Sequence, residues 1–316
     1  MHENEVLNWM LSAAFFALCL AGLSLSYGEN LKPEDIVAKS LDSMGTSQVR
    51  TAATSRVNQG KVQFRVLSGG AGNLEGRGVF VSQGRKLQFM MKFANNDYKG
   101  EQFVTDGDKV RVAATTQRQG RSSLGQFVYT QDAIVKEGLL GGELSTAWPL
   151  LNLEERKAKL SYEGEKTVDG KKLLDVRYKP KKSTDLEIHL YFEPETYRHV
   201  MTVYTLRIRP GIGHVNEQLS NAQPTGADLG PPPIATGGVV TESSETATAH
   251  GSETRYRLEE HFSDFKTADG LTLPSHYDID FTQELGNGPT TVSEWDITTD
   301  QVSNNVTLDP RNFEVK

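Results

Sequence analysis

The chain has 316 residues, with 34 Lys+Arg against 41 Asp+Glu and a formal net charge of -7. That length suffices for one large domain or two ordinary ones. A mildly acidic chain without a basic block excludes a charge-driven nucleic-acid binder.

Met10 to Tyr27 is apolar, of a length that fits a secretory core segment and is marginal for a membrane span. Ser26 and Gly28 supply the small residues at -3 and -1 of a cut before Glu29. His2, Glu3 and Glu5 stand where a signal peptide carries Lys or Arg; a misplaced start or an uncleaved anchor accounts for that. Export is the expectation, with residues 1–28 as signal or anchor. The only cysteine, Cys19, lies inside this segment and follows Leu18, where a lipidation site needs a small residue. A chain cut before Glu29 has no cysteine, which excludes disulfides, thiolate catalysis and cysteine-ligated zinc.

Lys32 to Met44 reads as a helix. Pro33 sits in its first turn, Glu34 and Asp35 favour its N-terminal dipole, Ile36, Val37, Ser40, Leu41 and Met44 share a face, and Gly45 ends it. Short strands follow: Lys61–Leu67, Arg77–Ser82, Lys86–Phe93, Glu101–Thr105 and Lys109–Ala114. Period-two alternation marks the first and third, and Asp106-Gly107-Asp108 joins the last two as a hairpin. Ser68-Gly69-Gly70-Ala71-Gly72 reads as a hairpin turn. It has no Gly-Lys-Ser/Thr ending and no following helix, so it is not a phosphate loop.

Leu124 to Leu151 breaks this rhythm. Its apolar spacing predicts a helix ended by Gly141-Gly142, then a second, Leu144 to Leu151, broken by Pro149. Strands resume at Ala158–Lys166 and Lys172–Tyr178, then in a hairpin over Asp185–Arg209. There Leu186, Ile188, Leu190 and Phe192 alternate with Glu187, His189 and Tyr191, and Pro194 forces the turn. Lys179, Lys181 and Lys182 beside Pro180 read as a solvated turn, with an anionic-lipid patch as the alternative. Pro210 to Ser252 is rich in Gly, Pro, Ser and Thr and predicts a mobile insertion (210–253). Thr254–Phe265, Thr272–Gln283 and Thr290–Val302 complete the sheet. The expectation is a mainly β (α+β) fold over 29–316: one large curved antiparallel sheet or incomplete β-barrel with covering helices.

Three passages resemble the outer-membrane lipoprotein-sorting proteins, the periplasmic lipoprotein carriers: "YFEPETYRHV" (191–200), "FSDFKTADGLTLPSHYDIDF" (262–281) and "NNVTLDPRNFEV" (304–315). The resemblance implies a half-barrel whose helices cover its mouth as a lid, here with Phe127, Ile134, Leu139 and Trp148. It also implies an Arg that bonds lid carbonyls, for which Arg65, Arg77 and Arg85 lie in the comparable region. A helix block that simply caps the sheet is the alternative to a lid.

His276, Asp278 and Asp280 share one strand face opposite Tyr277, Ile279 and Phe281. One His and two carboxylates at alternate positions suit a hard or borderline metal, yet the same row is what the wet face of a half-buried strand looks like. The wet face is preferred, and no metal or cofactor is expected. Glu259-Glu260-His261 alternates between faces, so adjacency does not supply an acid–base pair. No catalytic signature is present. What remains is apolar surface: Val62, Phe64, Val66, Leu87, Phe89, Met91, Leu186, Ile188, Leu190 and Phe192 fall on one concave face, either as an acyl-chain cavity or as a core packed under the helices. The sequence therefore points to a non-enzymatic periplasmic carrier or chaperone for the acyl chains of lipoproteins or lipids, working with a membrane-bound transport or receptor protein. A periplasmic sensor or protein-interaction module on the same fold is the alternative.

Overall fold

A computed structural model describes residues 31–116, 120–209, 253–286 and 288–315. The apolar N-terminal stretch with Cys19 and the 210–252 insertion lie outside the described residues.

Helix α1 (Pro33–Met44) buries Ile36, Val37, Ser40 and Met44 and lies against the sheet at β6 and β11. The Arg50 guanidinium from α2 (Ser47–Ala52) donates to the carbonyls of Leu41 and Gly45, taking up acceptors that α1 leaves open at its C-terminus. Twelve strands follow in one sheet: β1 (Ser55–Ser68), β2 (Asn73–Gln83), β3 (Lys86–Phe93), β4 (Glu101–Thr105), β5 (Val110–Ala114), β6 (Lys159–Val168), β7 (Lys171–Lys179), β8 (Glu187–Phe192), β9 (His199–Ile208), β10 (Thr254–Ala268), β11 (Leu271–Glu284) and β12 (Thr290–Asn304). Their spatial order is β5-β4-β3-β2-β1-β12-β11-β10-β9-β8-β7-β6, antiparallel throughout. The sheet is open and curved rather than a closed barrel.

Two meanders are thus joined back to back by β1 and β12, whose register runs from Arg56↔Asn304 to Ser68↔Val292. Every strand connection is to a sheet neighbour except β5 to β6, which must travel between opposite edges. Eleven strand spacings correspond to about 50 Å in a flat sheet. The chain makes the trip across the concave face as α3 (Ser123–Thr130), α4 (Ala133–Lys136), 3-10 turns at Gly142–Leu144 and Pro149–Asn152, and α5 (Leu153–Arg156).

The two continuous helices expected over 124–151 are therefore corrected to short pieces. Gly138, Gly141 and Gly142 adopt positive φ, which interrupts helical geometry. Several backbone groups of this stretch are bonded by side chains of the sheet instead of by their own turn. The first strand is also longer than its expected start at Lys61, running from Ser55. The glycine run at 69–72 is the β1–β2 turn, and Val66 N–H closes it on the Gly72 carbonyl at 3.0 Å.

Candidate functional site

The period of two decides what faces the concavity. From β1 these are Arg56, Asn58, Val62 and Phe64; from β8, Ile188, Leu190 and Phe192; from β10, Leu258, Glu260 and Phe262. Of the ten expected cavity residues, Val62, Phe64, Leu87, Phe89, Met91, Leu186, Ile188, Leu190 and Phe192 are buried, whereas Val66 is half-buried near the strand's far end. Phe64 meets Phe93, Tyr98 and Trp295 at ring separations of 6.2, 5.1 and 5.1 Å. Phe89 stacks on Phe80 at 4.0 Å and on Phe103 at 5.9 Å.

The β5–β6 crossover lies over this surface. Every residue from Gly138 to Leu150 is buried. The expected lid residues Phe127, Ile134, Leu139 and Trp148 are each no more than 1% exposed. Phe127 packs on Tyr256 and Phe281, and Trp148 on His199. Gly141 and Gly142 permit the close approach: a Cβ on the first would overlap the Phe80 ring, and one on the second would crowd Phe262 and His199.

Polar side chains of the sheet hold the backbone of this segment. Arg56 Nη1 donates to the Glu143 carbonyl at 2.6 Å, and Asn58 Nδ2 to the Leu144 carbonyl at 2.6 Å. Ser82 Oγ accepts from Thr146 N–H at 2.9 Å. Glu260 Oε1 accepts from Gly141 N–H at 2.7 Å and from the Tyr277 hydroxyl, while its Oε2 accepts from the Tyr204 hydroxyl at 2.6 Å. At the head of the crossover, buried Glu101 accepts from the backbone N–H and hydroxyl of Ser122, the N-cap of α3.

Burial sets the electrostatics of these groups. It pushes the Glu260 carboxyl up to about 7, against the two tyrosine hydroxyls and Gly141 N–H, which favour the charged form. It raises Glu143 to about 8, with the His199 N–H and Arg56 opposing. Arg56 falls to about 10, through burial offset by Glu143, and the His199 imidazole falls to about 3.

None of the three arginines anticipated as lid holders does that work. Arg65 pairs with Glu294 at 2.6 Å, Arg77 with Asp300 at 3.0 Å, and Arg85 reaches the Gly107 carbonyl at 3.3 Å. Arg56 bonds a crossover carbonyl instead. Its signal was present in the sequence: the alternation of Phe64 and Val62 continues backward through Asn58 to Arg56. Adjacent residues in Glu259-Glu260-His261 point to opposite faces. That same rule sends Glu260 alone into the concavity.

On the convex face His276, Asp278 and Asp280 align as expected. His276 Nε2 lies 3.1 Å from Asp278 Oδ2 and 3.8 Å from Asp296 Oδ1 of β12, whereas Asp280 is approached by His261 at 3.8 Å. The same face carries an open groove of about 420 Å³ lined by Val168, Lys171, Leu173, Arg198, Val200, Met201 and Phe265, among others. Lys181 and Lys182 are exposed in the β7–β8 turn.

No protein-family model matches the chain, and no curated protein matches it. Among solved structures it is similar to a LolA superfamily protein from Nitrosomonas europaea, with 11% identity and a TM-score of 0.43 over 90% of this chain and 98% of that one. It is also similar to a DUF1329 family protein from Desulfovibrio piger, with 12% identity and a TM-score of 0.42 over 90% and 98%. A third is a domain assigned as an outer membrane lipoprotein-sorting protein from Vibrio parahaemolyticus, with 10% identity and a TM-score of 0.37 over 88% and 97%. Likenesses of this size carry no functional weight. No helix among the described residues is long and apolar enough to cross a membrane, which leaves a strand-built span untouched.

Proposed function

We propose that this chain is a non-enzymatic, exported, periplasmic carrier that takes the acyl chains of lipoproteins or lipids onto its concave face when the β5–β6 crossover moves aside. The observation that carries the reading is the way the crossover is held. A buried segment with little regular structure covers a broad apolar sheet, and sheet side chains fix its backbone at Gly141, Glu143, Leu144 and Thr146. Each such bond contributes only about 0.5–1.5 kcal/mol net, or about 1.5–3 kcal/mol where Arg56 or Glu260 is charged, because water replaces it on release. The apolar lining beneath has no such replacement in water, whereas each methylene of an acyl chain buried there contributes roughly 0.8 kcal/mol. The partner consistent with this chemistry is an acyl chain delivered by, or passed to, a membrane-bound transport or receptor protein.

The test fastens the lid. Ser82→Cys and Thr146→Cys, in a Cys19→Ser background, are joined by a thiol-cleavable crosslinker. Uptake of a fluorescent fatty acid by delipidated protein falls to background when the pair is joined and returns on cleavage. Equal uptake by the joined and cleaved forms overturns the reading.

A second reading, a periplasmic sensor or protein-interaction module, is favoured by the convex groove, where the Arg198 guanidinium lies over the Phe265 ring at 5.0 Å. Under it, Arg198→Glu abolishes partner binding and leaves fatty-acid uptake unchanged.

A further inference from the structure

The convex face carries an electrostatic arrangement that the lid and the apolar lining do not use. Strand register sets Asp278 directly opposite Asp296, and Asp280 directly opposite both Glu294 and Glu259. Like charges directly opposite on one sheet face are destabilising. Here they occupy two successive rows across three strands. Arg65 answers part of this charge: its Nε reaches Glu294 at 2.6 Å and its Nη2 reaches Asp296 Oδ2 at 3.9 Å. Arg257 answers Glu259 at 2.7 Å. Asp280 Oδ1 is buried without a hydrogen-bond partner among the described residues.

We propose that His276, Asp278 and Asp296 form a binding site for a divalent transition-metal cation of the zinc class. The three side chains each offer one ligand atom, and these atoms lie within 4.8 Å of one another. Zinc holds N and O ligands at about 2.0–2.1 Å, so neighbouring ligands in a tetrahedral set lie about 3.3 Å apart. His276 Nε2 stands 3.1 Å from Asp278 Oδ2 and 3.8 Å from Asp296 Oδ1, spacings that bracket this value. One imidazole with two carboxylates suits zinc, cobalt or manganese rather than calcium, which takes six or more oxygens. The remaining coordination position is open to water or to an external ligand.

The surroundings support the ligand set. Arg65 Nη2 lies 3.9 Å from Asp296 Oδ2, the oxygen other than the one nearer His276. A bound dication offsets the Asp278–Asp296 opposition that the strand register imposes. All three side chains are half-buried, so the site opens to solvent on the face opposite the lid. Asp280, first grouped with His276 by sequence spacing, belongs to the His261 contact and not to this set.

The experiment uses the full chain, treated with chelator and titrated with Zn²⁺ by calorimetry and with Co²⁺ by its visible absorption. One equivalent binds saturably, and Co²⁺ gives the intense bands of a low-coordinate site. His276→Ala and Asp296→Asn remove saturable binding. Asp280→Asn retains it. His276→Gln, which keeps a polar head of similar reach, serves as a second ligand variant and loses binding in the same way. Circular dichroism identifies the folded variants. Absence of saturable binding to the parent chain, or equal binding by folded His276 and Asp296 variants, overturns the site.

Discussion

The Arg56 guanidinium, at the start of β1, donates to the backbone carbonyl of Glu143, in the middle of the crossover, at 2.6 Å. The same side chain reaches Asn304 Oδ1 at 3.0 Å through Nε, so one residue ties the crossover to both strands that join the two meanders. Replacing it with Leu leaves a buried carbonyl without a donor, and we expect a loss of about 1–3 kcal/mol. Urea denaturation measures the loss. Amide exchange locates it: protection over 141–148 falls, while protection in β6 to β8 is unchanged.

Glu260 gives folding stability a dependence on pH whose sign is fixed. Its folded pKa of about 7 lies above the ordinary carboxylate value of 4.5, so ionisation is easier in the unfolded chain. Its contribution is full below about pH 4.5 and is lost as pH rises to about 7, with a limiting slope of about 1.4 kcal/mol per pH unit. Glu143 acts in the same direction up to about 8, and His199, lowered to about 3, acts in the opposite direction below its ordinary 6.5. Comparison with Glu260→Gln cancels both. The stability of the parent relative to this variant declines from about pH 4.5 to 7 and is flat above. Parallel curves would remove Glu260 from the account.

Gly141 sits at φ +78 with the Phe80 ring where a Cβ would go. Gly141→Ala combines left-handed backbone strain with that overlap, and we expect a cost of about 1–3 kcal/mol. A calorimetric melt reads it as a lowered Tm. Gly84→Ala is the control: its φ is +54, but nothing lies within 4 Å of its added Cβ. The difference between the two variants reflects the contact with Phe80.

Phe64→Ala empties a site bounded by Phe93, Tyr98 and Trp295, a deletion that costs about 3–5 kcal/mol in a packed core. Val66→Thr, two residues along the same strand and half-buried, costs within about 0.5 kcal/mol. Chemical denaturation of the two variants tests whether the apolar lining is packed where the strand is covered and open where it is not.

The strands were legible because their signal is local. Lys86–Phe93 alternates, Glu101–Thr105 ends at the Asp106-Gly107-Asp108 turn, and the structure places both at those bounds. The crossover was not legible as a shape. Its apolar residues satisfy a helical period, but Gly138, Gly141 and Gly142, the donors on β1 and the acceptors on β2 and β10 decide its path, and those partners lie far off in sequence. Arg56 lies before the expected strand start at Lys61, and Glu260 shows its role only through partners on the crossover that are distant in sequence. The pairing of His276 with Asp296 likewise depends on β11–β12 register, which no spacing within one strand reveals.

The β1–β12 seam has a consequence for how the molecule comes into being. Arg65 and Glu294, paired across it, are separated by 229 positions, and contacts of such separation form late and slowly. Until β12 is made, β1 presents a bare edge to its surroundings, and such an edge recruits foreign strands. Synthesis from the N-terminus therefore leaves that edge of β1 uncovered for most of the chain's length.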